Sequence, residues 1–498
     1  MEQLSFFEEP IEPFLVENFS AGNLCEESER KKLEEEYSRF LDVTEKFNRQ
    51  SVSYQLSKSD VLHSWLKYKE GFSANLVNLL LDEMGAQAGD LVMDPFFGSG
   101  TTGLVCQMRG INSIGYDIMP ISSVVVKAKS DVQRYDIEEI KQLVREVSEL
   151  EVPSSYNKKT PYITITQDAY PEETEKFLSY IKEWNLSNSF SEQAKNVLEL
   201  CIINSLERCS YTTKSGQYLS WDCRSKKVIN ANKKRAEKGQ KLLPEKHVRE
   251  HIENIKDTIV AELEHVLDDI KTVQTSSVLS DAKIYFKQES VLYEIPKLPD
   301  EILKGVITSP PYCNRYDYTR TYALELVYLG LGDKEVKKMR QDLLSCTVES
   351  KSKMDEMKDF YKSIAQEDRF NYIKDKIDNN AVLKEVLVAL NKRKENGDLN
   401  NTGVIRMVEG YFTELGFIYA ELYRLCRKGA MVAFVNDNVR YGGEVIPVDF
   451  MSSSMAKDFG FKIKKIYTLK QQKGNSSQQM AKFGKVALRK GITVWIKE

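Results

Sequence analysis

Ten residues, Asp94-Pro95-Phe96-Phe97-Gly98-Ser99-Gly100-Thr101-Thr102-Gly103, follow the apolar run Leu91-Val92-Met93 and precede a second run, Ser113-Ile114-Gly115-Tyr116, that ends at Asp117. Glycines at 98, 100 and 103 let a strand turn sharply into a helix and let a ligand approach bare backbone. Strand, turn, helix and second strand in this order predict a unit of parallel sheet, so the stretch commits the chain to an α/β core. Its role beyond folding is ambiguous from the glycines alone. Their spacing also satisfies the G-x-G-x-x-G pattern of dinucleotide sites, with Asp117 placed where a carboxylate can hold ribose hydroxyls.

The residues in front of the glycines separate the readings. Asp94, Pro95 and two phenylalanines set a carboxylate and rigid apolar bulk beside the turn. A carboxylate there can engage an ammonium group, which methionine-derived cofactors carry and NAD lacks, so S-adenosylmethionine is favoured. Upstream, His63 to Ser73 clusters aromatic, basic and hydroxyl residues before a helix that carries Leu76, Val77, Leu79 and Leu80. That cluster could line the far side of the cofactor, with His63 itself expected as a solvated surface histidine.

A second motif lies two hundred residues on, where Thr308-Ser309-Pro310-Pro311-Tyr312 follows the apolar run Gly305-Val306-Ile307. A rigid Pro-Pro turn at a strand's end, with a hydroxyl before it and a ring after it, suits capture of a flat nitrogenous base. The exocyclic amine of cytosine or adenine is a poor nucleophile because its lone pair is delocalised into the ring. The Ser309 hydroxyl and the Pro310 carbonyl, held by two fixed φ angles, could accept both amine hydrogens and free that lone pair. Tyr312 would stack on the base, worth about 1–3 kcal/mol in nucleic-acid sites. A paired base must first be flipped out. Attack at cytosine C5 would need a cysteine directly after proline, whereas here Tyr312 separates Pro311 from Cys313, which is read as inert.

These motifs resemble those of the amino-methyltransferases of the DNA methylase family, the branch that modifies cytosine N4 or adenine N6. The resemblance covers the α/β core and not the insertions. It implies a doubly wound, mostly parallel, seven-stranded Rossmann-like methyltransferase sheet interrupted by two mainly helical insertions. Asp94 to Gly100 resemble the family's F-x-G-x-G cofactor motif, Asp117 its ribose-binding acid, Ser309, Pro310, Pro311 and Tyr312 its catalytic motif, and Phe72 with Ser73 its additional N-terminal cofactor motif. The cofactor contacts thus implied are Phe72, Ser73, Asp94, Pro95, Phe96, Gly98, Gly100, Thr101 and Asp117. Ser290 is added because Glu289-Ser290 stands where the family often has an acid near the adenine ring. Serine in first place is the form usual in N4-cytosine enzymes, which implies cytosine N4; adenine N6 is the variant within the class, and transfer to a guanine N2 amine of RNA the next. A nicotinamide-dependent oxidoreductase rests on the glycine spacing alone and leaves Ser309 to Tyr312 unexplained. An idle DNA-binding subunit would have no use for Asp94, Asp117 and Ser309 together.

The chain has 71 Lys+Arg against 74 Asp+Glu among 498 residues, a net charge of -3, so a nucleic-acid surface must be a local patch. Between residues 224 and 241, Arg224, Lys226, Lys227, Lys233, Lys234, Arg235, Lys238 and Lys241 face one acid, Glu237. That excess can neutralise phosphates, and Tyr211, Gln217, Tyr218 and Trp221 interleave with it. A solvated basic loop is the plain alternative. Arg315 and Tyr316, directly after the catalytic turn, and the polar loop Gln471 to Gln479 are further candidates for contact with DNA. Eight cysteines without a C-x-x-C pair fit reduced thiols in a cytoplasm, and His247 with His251 shows no third metal ligand nearby. No apolar run reaches the ~20 residues that cross a bilayer, and the acid-rich start Met1 to Phe19 lacks the layout of a secretory signal. No metal and no membrane are expected; the expected partners are double-stranded DNA and a cognate restriction endonuclease or defence subunits.

Along the chain this gives a helical extension over 1–50, the cofactor half of the core over 51–135 and a helical insertion for target recognition over 136–280. The catalytic motif occupies 281–332, a second helical insertion 333–402, and the last core strands 403–498. Residues 26 to 48 predict a surface helix, and Glu245 to Val273 a helix with Val248, Ile252, Ile255, Ile259, Leu263, Val266 and Ile270 at three- or four-residue steps. The final strands are Phe461 to Leu469 and Ile492 to Ile496, the last an antiparallel edge.

Overall fold

Strands whose two faces are both buried read as unbroken apolar runs, and those runs form the sheets here. The computed structural model describes residues 14–48, 50–53, 55–58, 60–215, 218–276, 279–469 and 477–498. Among them are β1 (Leu41–Thr44), β2 (Leu91–Asp94), β3 (Asn112–Tyr116), β4 (Thr212–Ser215), β5 (Tyr218–Trp221), β6 (Ile284–Lys287), β7 (Leu303–Thr308), β8 (Cys426–Asp437), β9 (Val439–Tyr441), β10 (Glu444–Ile446), β11 (Lys462–Leu469) and β12 (Lys490–Ile496). All seven core strands expected from the sequence form, and β1 is an eighth. The fold is a mixed α/β one, with mostly parallel strands and many helices. It divides into two compact units, Met1–Val52 with Leu292–Asn314 and Lys351–Glu498, and Ser53–Val291 with Arg315–Ser350.

In the first unit the strand order is β1-β11-β12-β8-β7, with β1 parallel to β11 and β7 parallel to β8. β12 runs antiparallel to both neighbours, as its sequence suggests, but it lies between β11 and β8 rather than at an edge. Its buried Ile492, Val494 and Trp495 explain this, since an edge would leave one side of that run uncovered. The edge belongs to β1, which the expectation of a surface helix over 26–48 missed. Only Ser28–Tyr37 is a regular helix, and Arg30, Leu33 and Tyr37 on it are buried. Arg30 pairs with Glu385 at 2.8 Å and Glu444 at 2.9 Å, so this charged segment is tied into the unit rather than solvated.

In the second unit β2, β3 and β6 form a parallel row. The helices Ala74–Met84, Thr101–Met108 and Pro120–Ser130 flank it in sequence, and one large apolar cluster continues into the helices of the first insertion. That insertion is not wholly helical, because β4 and β5 make an antiparallel hairpin. Its last helix spans Ile255–Ser276 and not 245–273. Residues 245–254 are held otherwise: Lys246 accepts from the Cys223 amide at 2.8 Å, Val248 donates to Asp222 at 2.9 Å, and Arg249 donates to Ser210. The helical spacing of Val248 and Ile252 is therefore accidental. The basic stretch, for which a solvated loop was the alternative, holds the helix Lys226–Glu237, capped by Ser225, whose hydroxyl accepts from the Val228 amide.

Candidate active site

The two turns expected from the sequence to carry the chemistry lie one in each unit. In the second unit, the turn after β2 needs the left-handed region at Gly98 (φ +51°) and Gly100 (φ +75°). The Phe97 ring slots between Gly103 and Gly115, where an added Cβ would lie 2.4 and 2.0 Å from ring atoms. Asp94 is buried, with one oxygen accepting from the Phe96 amide at 3.1 Å and the other from the Thr102 hydroxyl at 2.8 Å. It braces the turn from inside. Asp117, at the end of β3, accepts from the Gly98 amide and the Met119 amide, each at 2.8 Å. Burial raises its carboxyl above the ordinary range while these amide donors pull it back.

Around this turn Phe72 is buried, and Ser73 caps the helix Ala74–Met84 by accepting from the Leu76 amide at 3.3 Å. A Cβ at Gly98 would meet the Tyr68 ring at 2.9 Å, so that ring closes over the turn, and Tyr68 stacks on Tyr322. Pro95 and Thr101 are buried and Phe96 half-buried; Ser290 is half-buried just before the short helix Val291–Glu294. Beneath the turn, Lys129 donates to the Ser99 carbonyl at 3.2 Å. His63 is not the surface residue expected from the sequence. It is 5 % exposed, and neither ring nitrogen has a hydrogen-bond partner among the described residues.

In the first unit, Ser309 to Tyr312 leave the end of β7. Pro310 and Pro311 are buried, and Ser309 and Tyr312 are half-buried. The Ser309 hydroxyl donates to the Tyr312 phenol at 3.2 Å and lies 3.5 Å from the Val435 carbonyl on β8. The Tyr441 hydroxyl fixes the far end by donating to the Cys313 carbonyl at 2.6 Å. Lys490 stands 5.5 Å from the Tyr312 ring centroid and 3.5 Å from the buried Asp437. Burial raises the Tyr312 phenol, so the hydroxyl keeps its proton. Cys313 is buried, as an inert thiol should be. The turn thus sets a half-buried hydroxyl and a half-buried aromatic ring on two buried prolines.

A DNA methylase family model matches residues 20–123. The type II methyltransferase M.BsoBI of Geobacillus stearothermophilus is 48% identical over 482 residues, 97% of this chain and 94% of its own. The chain belongs to the DNA methylase family. M.AvaI of a Nostoc species is 36% identical over 473 residues, 94% of this chain and 93% of its own. M.MjaII of Methanocaldococcus jannaschii is 35% identical over 129 residues, 26% of this chain and 23% of its own.

Family membership implies S-adenosylmethionine as methyl donor, and the turn after β2 fits it. The fit rests on the left-handed glycine turn at Gly98 and Gly100, closed over by the Tyr68 ring, and on the Asp117 carboxylate that the Gly98 amide holds beside it. In this DNA methylase the cations predicted to meet nucleic acid differ in availability. Lys226, Lys233 and Lys234 are exposed on their helix and Arg235 is half-buried. Arg224 is engaged at both ends by Asp222, Nε and Nη2 each at 2.8 Å, and by the Arg249 carbonyl. Lys227 lies 4.1 Å from the Trp221 ring centroid. Arg315 takes a positive φ of 66°, and Tyr316 meets Tyr318 edge-on at 5.0 Å. Gln217 and residues 471–476 of the polar loop lie outside the described residues. Asp222, Cys223 and His247 bring three ligand atoms within 4.8 Å of one another, a grouping not seen from the His247/His251 spacing, although the Asp222 oxygens already serve Arg224 and Val248. No helix among the described residues is long and apolar enough to cross a membrane.

Proposed function

We propose that this methylase places a methyl group on the N4 amine of a cytosine flipped out of duplex DNA, at a specific sequence and within a restriction–modification pair. The observation that carries the reading is the Ser309-Pro310-Pro311-Tyr312 turn at the end of a parallel strand, with the Ser309 hydroxyl donating to the Tyr312 phenol oxygen at 3.2 Å. S-adenosylmethionine supplies an electrophilic methyl group on a sulfonium. The chain's residues do the rest. Ser309 Oγ and the Pro310 carbonyl accept the two amine hydrogens, which turns the nitrogen lone pair out of conjugation with the ring. Tyr312 covers one face of the base, and Tyr441 and Lys490 keep the turn and ring from relaxing. Phe72, Ser73, Gly98, Gly100 and Asp117 hold the donor, with Ser290 near its adenine. Serine as the first motif residue supports cytosine over adenine. Relatives named type II methyltransferases, aligned over nearly their whole lengths, support a cognate endonuclease as partner.

The test is incubation with radiolabelled S-adenosylmethionine and mixed-sequence duplex DNA, followed by nucleoside analysis. N4-methylcytosine is expected. N6-methyladenine moves the reading within the class, and label confined to RNA ends it.

A further inference from the structure

A cavity of about 400 Å³ opens within the second unit. The β4–β5 hairpin, the start of the helix Lys226–Glu237 and the helix Asp333–Asp342 enclose it. Ile163, Leu219 and Val336 give it an apolar floor, and Trp221 supplies a flat, half-buried aromatic wall. Lys227, Arg320, Lys337 and Arg340 line it against one acid, Asp333. The two arginines converge on the buried Asp317, at 3.0 and 2.9 Å, and Arg320 also meets Glu349. Counting Asp317 and Glu349 as well, the cations still exceed the acids by one, and Lys337 is exposed at the mouth. The exposed Lys226, Lys233 and Lys234 extend the positive surface along the adjoining helix. In the chain, Arg320 stands only eight residues after Tyr312.

An aromatic wall and apolar floor under a cationic rim suit a nucleotide: ring and sugar lie against carbon while phosphates meet ammonium groups. We propose that this cleft seats a strand of the DNA substrate, with Trp221 against a base or sugar and Lys337 on a phosphate. The assignment rests on the DNA reading above and deepens it by naming the contact surface, part of which lies outside the first insertion, on the helix Asp333–Asp342 of the second.

The experiment is fluorescence anisotropy of a labelled DNA duplex with the full chain, across a salt series, for the parent and for Trp221→Ala, Trp221→Phe and Lys337→Glu. Lys358→Glu, an exposed charge reversal on the helix Met354–Ser363, is the control. Trp221→Ala and Lys337→Glu should weaken binding about tenfold or more, with Trp221→Phe restoring most of the loss. Lys337→Glu should also lower the slope of log affinity against log salt by about one. S-adenosylmethionine affinity should stay at the parent value in Lys337→Glu, and Lys358→Glu should leave DNA binding and the methyl-transfer rate at parent values. A parent that binds duplex while both variants behave like the control overturns the cleft and leaves the function standing. Stronger binding of an RNA or an acidic peptide than of the duplex to the cleft also overturns it. A parent that binds and methylates no DNA sinks the function itself.

Discussion

At Ser309 one hydroxyl is asked to hold an amine hydrogen while donating to Tyr312, so its loss should reach chemistry and not cofactor binding. Ser309→Ala and Tyr312→Ala are expected to lower kcat by about 10²-fold or more, with S-adenosylmethionine affinity, measured by calorimetry, near that of the parent. Asp117→Ala should do the reverse, weakening the cofactor about tenfold or more, because a carboxylate lost from hydroxyls costs a charged hydrogen bond. Two buried bases near the same turn set a pH dependence. Burial pushes His63 down to about 3, with Lys129 adding to the effect, and burial alone pushes Lys129 down to about 7. Both folded values lie below the unfolded ones, so in each window the unfolded chain binds more protons and stability rises with pH. For His63 the contribution is full above about 6.5 and is lost as pH falls toward 3. For Lys129 the penalty is relieved as pH climbs from about 7 to 10.5. Urea unfolding of Lys129→Met should therefore show an advantage over the parent near pH 7 that shrinks by about 1.4 kcal/mol per pH unit toward pH 10. A difference that does not change with pH would show that the ammonium is solvated.

The turn after β2 works as an element because a ring replaces side chains that are not there. Phe97 fills the space over Gly103 and Gly115 and stacks on Phe286 of β6 at 5.6 Å. A methyl at Gly115 must displace that ring, so Gly115→Ala should cost about 1–3 kcal/mol by thermal unfolding, and Phe97→Leu in the same chain should recover part of it. The glycine spacing was visible in the sequence, but that Gly98 packs on Tyr68 while Gly103 and Gly115 pack on Phe97 was not. Helix 255–276 shows the same limit. Apolar residues at 248 and 252 matched its period, yet the carboxylate of Asp222 took the Val248 amide and the carbonyls of residues 210 and 212 took the Arg249 guanidinium. A pattern of carbon positions does not reveal where polar donors go.

On the scale of the whole molecule, the first unit is assembled from three distant stretches, and buried ion pairs join them. Arg489, 4 % exposed on the way into β12, meets Glu34 of the N-terminal helix and Asp449 at 2.7 Å. Removing that charge leaves two carboxylates buried together, so Arg489→Met should destabilise the unit by about 3–5 kcal/mol in urea titration, far more than an exposed Lys→Met change. Arg489 and Glu34 stand 455 residues apart in sequence, which is why residues 26 to 48 read as solvated when they are clamped. The sequence by itself determined the seven core strands, the two turns that hold the motifs and the family they resemble, because each rests on residues close together in the chain, whose local geometry needs no distant partner. Tertiary structure alone decided that β12 lies inside its sheet, that β1 joins it, that His63 is buried, and that a basic stretch is a helix beside an aromatic cleft. Those outcomes depend on which remote groups satisfy a backbone edge, a buried charge or an uncovered ring, and a linear pattern holds no record of that choice.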